Sequence, residues 1–270
     1  MNHDGWLSAL AHELRRRGVG GDAVRQVVAE AAAHLRDGGG NPMQVFGPPA
    51  TYASAVADSV GRPRRNPGEV LLEARGITKK YGRQTVLDGV DLTVRSGEIA
   101  AVIGANGCGK STFLAVCAGL TGVDKGEVRI RGSLGYCPQD GGTAGFLDAG
   151  EHFVLIGAGR GMSREEAVRA GHAQAAALDW EPARGKQARH LSGGTRQKLN
   201  LVMAGLGEPD VLLLDEPYQG FDRGTYLDFW HQVWQWREAG KAIVVVTHLL
   251  NQLDRVDTVL ELTPARKAVA

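Results

Sequence analysis

The sequence has few cysteines and little excess charge, and each shortage excludes a class of protein. Its 270 residues include three cysteines, Cys108, Cys117 and Cys137. Their number and spacing fit neither a disulfide framework nor a metal site, and they are typical of a reducing compartment. The formal net charge is only +1. Because a polyanion selects a basic surface, we expect no nucleic acid among the partners.

Long hydrophobic runs are also missing. Apolar runs such as those at residues 211–214 and 242–246 fall far below the roughly 20 residues that a helix needs to span a bilayer. The start of the chain has no basic segment followed by a long apolar core, so we expect no signal peptide. These features predict a cytoplasmic protein whose role at a membrane, if it has one, depends on partners.

What is present divides the chain in two. A run rich in Pro, Gly and Arg at residues 61–69 predicts a linker. We expect a small helical accessory domain over residues 1–62, because three segments there carry apolar residues at helical spacing. With the linker proper at 63–69, residues 70–270 form the second domain. Its short apolar strands alternate with helices, which predicts an α/β fold, and a helix-rich insert occupies about 143–190.

A glycine-rich loop, "GANGCGKST", follows the apolar run at residues 99–103 and precedes a helix-forming segment. Its glycines let backbone N–H groups converge on phosphate oxygens at the start of the helix. Lys110 would neutralise the β- and γ-phosphates, and the Ser111 hydroxyl would hold Mg²⁺. The thiol of Cys108, beside Lys110 and a helix start, is expected to be reactive. The predicted ATP-binding residues of this loop are Gly104, Asn106, Gly107, Cys108, Gly109, Lys110, Ser111 and Thr112.

Two acids end the apolar run at residues 211–214, as in "VLLLDE". Asp215 would reach Mg²⁺ through water, and Glu216 would polarise the water that attacks the γ-phosphate, as a general base. An acid pair alone is most often a cap or a solvated turn. Together with the glycine-rich loop, it predicts a nucleotide hydrolase that uses ATP and Mg²⁺.

The stretch "LSGGTRQKLN" at residues 191–200 resembles the signature of ABC transporter ATPases, and neighbouring motifs follow the order of that family over about residues 71–262. The resemblance implies that Ser192, Gly193 and Gly194 face a nucleotide bound to a second cassette packed head to tail. It implies a P-loop NTPase core with a mostly parallel sheet, an antiparallel β subdomain and a helical subdomain. The small all-helical domain precedes this core.

The resemblance assigns further roles outside the two loops. It places Tyr81 on the adenine, Gln139 on Mg²⁺ and the attacking water, and His248 as a switch near the γ-phosphate. The predicted catalytic residues are therefore Lys110, Gln139, Glu216 and His248. The predicted metal ligands are Ser111, Gln139 and Asp215. Asp222 lies in a loop that crosses the dimer.

The chain also departs from the family pattern. Thr195 stands where glutamine is common, and Tyr-Gln-Gly-Phe at 218–221 replaces the more usual Thr-Ser-Gly-Leu. All catalytic residue types are nevertheless present, so an active ATPase is expected.

Two functions stay open from the sequence. In the first, the chain is the ATPase subunit of a membrane exporter, on the inner face of the cell membrane. It forms a homodimer, or a heterodimer with a second ABC ATPase, and docks on integral-membrane permease subunits. In the second, it is a soluble ABC ATPase acting on a macromolecule. The single cassette and the lack of a coiled-coil insertion favour the first. The helical domain is either a docking appendage or a relative of the small domains that accompany bacterial permeases and sensors.

Overall fold

The structure is a computed structural model. It describes residues 3–16, 21–38, 41–59, 68–247 and 256–263 of the chain. The chain forms two compact units, Met1–Pro67 and Gly68–Ala270. Residues 63–67 of the predicted linker lie outside the described residues, and the predicted division at 62 and 70 stays a prediction.

The first unit is helical, as its apolar spacing predicts. Its helices are α1 (His3–Arg16), α2 (Gly21–Gly38), α3 (Pro42–Val45) and α4 (Pro49–Ser59). Their apolar faces bury a common core around Trp6, Leu10 and Leu14. The Trp6 ring stacks on Phe46, and its indole N–H donates to the carbonyl of Gly47 at 2.9 Å. Each large side chain therefore has a packing partner or a hydrogen bond, which suits so small a core.

The second unit alternates strands and helices. Its strands are β1 (Val70–Tyr81), β2 (Gln84–Arg95), β3 (Ile99–Ile103), β4 (Lys125–Ile130), β5 (Leu134–Cys137), β6 (Val211–Asp215), β7 (Ala242–Val246) and β8 (Thr258–Glu261). Its helices are α5 (Lys110–Cys117), α6 (Ala149–Gly159), α7 (Arg164–Ala176), α8 (Gly193–Gly205) and α9 (Arg223–Glu238).

Five of these strands form a sheet in the order β5-β6-β7-β3-β8, and every neighbouring pair is parallel. All residues of β6 and β7 are buried, as expected for parallel strands covered by helices on both faces. The other three form an antiparallel sheet in the order β2-β1-β4. The predicted α/β class with an antiparallel subdomain is therefore confirmed.

The predicted helical insert contains α6 and α7. Both begin with a capping box, in which a side chain and a backbone N–H pair reciprocally: Asp148 with Glu151, and Ser163 with Glu166. Through the described parts of both units, each helix is too short or too polar to cross a membrane.

Candidate functional site

Three predicted site regions follow neighbouring strands of the parallel sheet. The glycine-rich loop follows β3, Gln139 follows β5 and Asp215 ends β6, while Thr247, which the sequence analysis did not predict, follows β7. Since all four strands run parallel, their carboxyl ends must meet at one edge, where open α/β sheets bind their ligands.

The glycine-rich loop needs its glycines for two reasons. Gly104, Gly107 and Gly109 all have positive φ, at 143°, 77° and 106°, which a residue with a Cβ adopts only at a cost. Gly104 and Gly109 are also crowded. A Cβ on Gly104 would lie 2.3 Å from the carbonyl oxygen of Leu262, and one on Gly109 would lie 2.9 Å from the Leu87 side chain.

Lys110 closes the loop on itself. Its ammonium donates to the carbonyl oxygens of Gly104, at 2.9 Å, and Ala105, at 3.2 Å. The residue is only 6% exposed although it carries a charge. The loop therefore holds its positive charge at the start of α5, where the helix dipole also attracts anions.

The predicted reactivity of Cys108 is wrong for the folded chain. The residue is 2% exposed, with its sulfur near the α-carbon of Gly104, and it belongs to the apolar core under the loop. A buried thiol is shielded from reagents whatever charges lie nearby. The other two cysteines are buried as well, and burial raises the pKa of Cys117 to about 12.

Asp215 is a carboxylate buried at the end of β6, with 2% of its surface exposed. Burial raises its pKa above the ordinary 3.8, and the nearby carboxylate of Glu216 adds to the shift. A hydrogen bond from Ser111 and the charge of Lys110 oppose it. These interactions bring together two predicted metal-site residues and the lysine of the loop.

The oxygen donors of this group fit Mg²⁺. Atom Oδ1 of Asp215 is buried, and within the described part of the chain no group hydrogen-bonds to it. A hydroxyl and a carboxylate are ligands that Mg²⁺ accepts, and the ion is commonly bound through one or two carboxylates together with substrate phosphates and water. Among the described residues, no three His, Cys, Asp or Glu side chains cluster as a metal site.

Gln139 and Glu216 meet beside this group. The amide Nε2 of Gln139 donates to Oε2 of Glu216 at 3.2 Å. The backbone of Glu216 is left-handed, with φ at 45°, a strained conformation for a residue with a Cβ that is frequent at active sites. A turn follows directly after β6, and it is closed by the N–H of Gln219, which donates to the Glu216 carbonyl at 3.2 Å.

Two buried polar residues that the sequence analysis missed hold the loop of Gln139. The Gln197 side chain donates to the carbonyl of Pro138 at 3.2 Å, and that of Asn200 to the carbonyl of Gly141 at 3.0 Å. Both residues lie on α8, within the stretch at 191–200. Asn200, a polar residue between two leucines, was the available signal, because a buried amide needs a specific partner. Gln197 stands between two charged residues, and no local pattern marks it.

The signature loop caps α8. The Ser192 hydroxyl accepts from the N–H of Thr195 at 3.2 Å. Gly194 packs against the loop after β6, since a Cβ on it would lie 2.5 Å from the carbonyl oxygen of Gly220, whereas a Cβ on Gly193 would meet nothing within 4 Å. A cavity of about 240 Å³ separates both signature glycines from Gln139.

The remaining predicted site residues are Tyr81, Asp222, Asn106, Thr112 and His248. Tyr81 ends β1 and is 53% exposed, with the ammonium of Lys79 5.4 Å from its ring centroid. Asp222 caps α9, accepting from the N–H of Thr225 at 2.8 Å, and this bond lowers the pKa of its carboxyl. Asn106 is exposed and Thr112 is partly buried. His248 lies outside the described residues.

This fold, with a phosphate loop after β3 and an acid pair after β6, defines a P-loop nucleotide hydrolase. Residues 87–219 match the family model described as "ABC transporter". The chain is also 36% identical, over 199 residues, to an aliphatic sulfonates import ATP-binding protein of Ralstonia nicotianae, covering 72% of this chain and 70% of that one. The chain belongs to the ABC transporter family, as an ATP-binding subunit with ATPase activity.

Other relatives extend the comparison. A Nod factor export ATP-binding protein of Ralstonia nicotianae is 28% identical over 198 residues, with 69% of this chain and 62% of that one covered. Among solved structures, a dimeric bacterial ABC transporter cassette superposes with a TM-score of 0.66 at 26% identity, over 71% of this chain and 94% of that one. Both import and export proteins thus resemble the chain.

Proposed function

We propose that this chain powers an ABC exporter, binding MgATP at the glycine-rich loop and hydrolysing it with Glu216 as the base. The observation that carries the proposal is the group formed by Lys110, Ser111, Asp215, Gln139 and Glu216 at one edge of the sheet. The exposed Tyr81 offers its ring to the adenine.

The chain's own residues divide the work of hydrolysis. When ATP enters, the Lys110 ammonium leaves the two loop carbonyls and donates to phosphate oxygens instead. It is therefore hydrogen-bonded both with and without ATP. Bound Mg²⁺ would neutralise developing phosphate charge, held by Ser111, Gln139 and Asp215. Glu216 accepts a hydrogen bond from the attacking water, and Gln139, bonded to the same carboxylate, orients it.

The second part of the proposal is a head-to-tail dimer, of two copies of this chain or of this chain and another ABC ATPase. Gly193 supports it, because the space beside this glycine is open within the chain. The N-terminus of α8 presents the positive end of its dipole beside that space. A nucleotide bound on the partner cassette supplies the matching anion, and Asp222 lies in the loop that approaches the partner.

The third part is docking on integral-membrane permease subunits at the inner face of the cell membrane. Two large apolar side chains of the helical insert region are exposed, Phe146 by 68% and Leu155 by 58%. We take both as contacts of the docking surface, because the core of a protein interface is built from large apolar side chains. Replacing both with Ala should abolish co-purification of the chain with a polytopic protein from solubilised membranes. Leu227→Ala, which removes a leucine 55% exposed on α9, is the control.

Export rests on the resemblance to exporter cassettes, and the Nod factor export relative supports it. ATP-dependent movement of substrate into inside-out vesicles would agree with export. Movement out of them, as for the import relative, would overturn the direction alone. Co-sedimentation with ribosomes instead of membranes would favour the soluble ABC ATPase.

The hydrolytic core of the proposal is tested by Glu216→Gln. The amide keeps the shape of the side chain but lacks the negative charge that polarises water, so turnover should fall about 10²- to 10³-fold. MgATP should still bind and should now hold a dimer that light scattering detects. Glu238→Gln, the same change on the exposed end of α9, is the control. Near-normal hydrolysis by Glu216→Gln would remove Glu216 as the base.

A further inference from the structure

A tyrosine connects the loop after β6 to the end of β7. The Tyr218 hydroxyl lies 2.5 Å from the Thr247 hydroxyl, so the two share a short hydrogen bond. Thr247 is 1% exposed, and its own N–H donates to the carbonyl of Val102 in β3 at 3.2 Å. Through this threonine, Tyr218 is bonded to the strand that leads into the glycine-rich loop.

Aromatic packing fixes the direction of the Tyr218 ring. It meets Tyr226 edge to face, with centroids 5.3 Å apart, and lies 5.7 Å from the ring of Phe229, which is fully buried. Both partners belong to α9. A ring held between a helix and a strand end brings its hydroxyl to one place, which a freely rotating side chain would not do.

The backbone around Tyr218 is correspondingly tight. Its carbonyl accepts from the N–H of Phe221 at 3.0 Å, in a turn that overlaps the one closed by the Glu216 carbonyl. Two residues before Tyr218, Glu216 holds its left-handed backbone, which persists only where surrounding contacts impose it. Two residues after it, Gly220 touches Gly194 of the signature loop.

We propose that Tyr218 is a positioning residue for hydrolysis: its hydroxyl, bonded to Thr247, holds the 216–222 loop so that the Glu216 carboxylate meets Gln139. The inference rests on the proposed role of Glu216 as the base. In this role Tyr218 acts through Glu216 and needs no contact of its own with the nucleotide. Its effect should appear in the rate of turnover and not in nucleotide binding, because the phosphate cradle of β3 and α5 is built without it.

Four variants and the parent test the inference. Tyr218→Phe and Thr247→Val each remove one hydroxyl and keep the size of the side chain. Each should lower kcat about tenfold, the effect of losing one buried hydrogen bond of ordinary strength, with KM for MgATP within about twofold. The loss in the double variant should be clearly smaller than the product of the two single losses, because both substitutions remove the same bond. Thr247→Ser keeps a hydroxyl and should restore parent-like turnover.

The control is Tyr226→Phe, which removes a hydroxyl from the same ring cluster and should leave kcat within about twofold. Circular dichroism at the assay temperature checks that all variants are folded. If Tyr218→Phe turns over like the parent, or if the two single losses multiply in the double variant, the inference is overturned while the proposed function stands. A parent that does not hydrolyse ATP would overturn both.

Discussion

The two glycine-rich loops of this chain look alike in sequence but are built differently. At residues 104–111, three glycines have positive φ and two of them, Gly104 and Gly109, are also crowded by neighbouring residues, and the buried Lys110 is bonded to the loop itself. The signature loop at 192–195 has a single local cap, and Gly193 borders open space. The first loop owes its glycines to its own chain. The second has one glycine, Gly193, that the chain's own packing does not require.

This difference separates two reasons for a bare backbone. A glycine demanded by positive φ or by a close neighbour contributes to folding, and its loss appears in stability. A glycine beside open space leaves room for a ligand or partner, so its loss should appear in activity. Substitutions in the two loops should therefore split into changes of stability and changes of activity.

The largest loss of stability should come from Gly104→Ala. Its Cβ would meet the Leu262 carbonyl oxygen at 2.3 Å from a backbone at φ 143°, so strain and overlap together should cost about 2–5 kcal/mol of unfolding free energy. Urea denaturation measures it. Gly107→Ala has the left-handed backbone but open space and should cost only about 1–2 kcal/mol. Equal costs for the two would show that crowding contributes nothing.

Asp215→Asn tests the free-energy cost of the buried carboxylate beside the first loop. Since burial raises the pKa of this carboxyl, its ionised form destabilises the folded chain, and this penalty develops as the pH rises from the unfolded pKa through the raised folded pKa. The amide variant should melt about 2–4 °C higher without nucleotide, which corresponds to roughly 1 kcal/mol, and should hydrolyse ATP poorly.

The advantage of Asp215→Asn should shrink as the pH falls through the raised pKa, because the parent then binds its proton and sheds the penalty. Differential scanning fluorimetry between pH 4 and pH 8 follows this change. The exposed Asp88→Asn on β2 serves as the control. A variant less stable than the parent at neutral pH would contradict the sign of the pKa shift.

Much of this site follows from sequence because its parts are local. The run at 99–103 and the loop that follows predict a strand, a turn and a helix within twenty residues, and the structure has all three. The Tyr218 to Thr247 bond joins the loop after β6 to the residue after β7, so no local pattern marks it. The left-handed backbone of Glu216 could not be predicted either, because no sequence pattern marks a left-handed glutamate. The thiol of Cys108 was misjudged because its burial depends on the packing beneath the loop.

In the second loop, Ser192→Ala removes the cap of α8. The Thr195 N–H loses its acceptor at 3.2 Å, which should cost about 1 kcal/mol of unfolding free energy. Ser163→Ala removes an equivalent cap from α7 and should cost the same. Only the Ser192 variant should also slow hydrolysis, because its hydroxyl faces the partner's nucleotide in the proposed dimer. If both variants slow hydrolysis equally, the loss belongs to helix stability and not to the signature.

The smallest change in stability should come from Gly193→Ala. A Cβ there meets nothing within 4 Å, and the backbone is not left-handed, so the free energy of unfolding should stay within about 0.5 kcal/mol of the parent. Hydrolysis should nevertheless fall at least about tenfold, since a methyl group in that space holds the partner's γ-phosphate away from the N–H groups of α8. Adding Gly193→Ala to Glu216→Gln should weaken the ATP-held dimer by light scattering.

Gly122 offers the matched control, because it too has open space and no left-handed backbone, and Gly122→Ala should leave both stability and hydrolysis unchanged. A Gly193→Ala variant that is stable and fully active would show that nothing enters the space beside Gly193. The second loop would then have no role in trans, and the contrast between the two loops would reduce to the packing of Gly194 against Gly220.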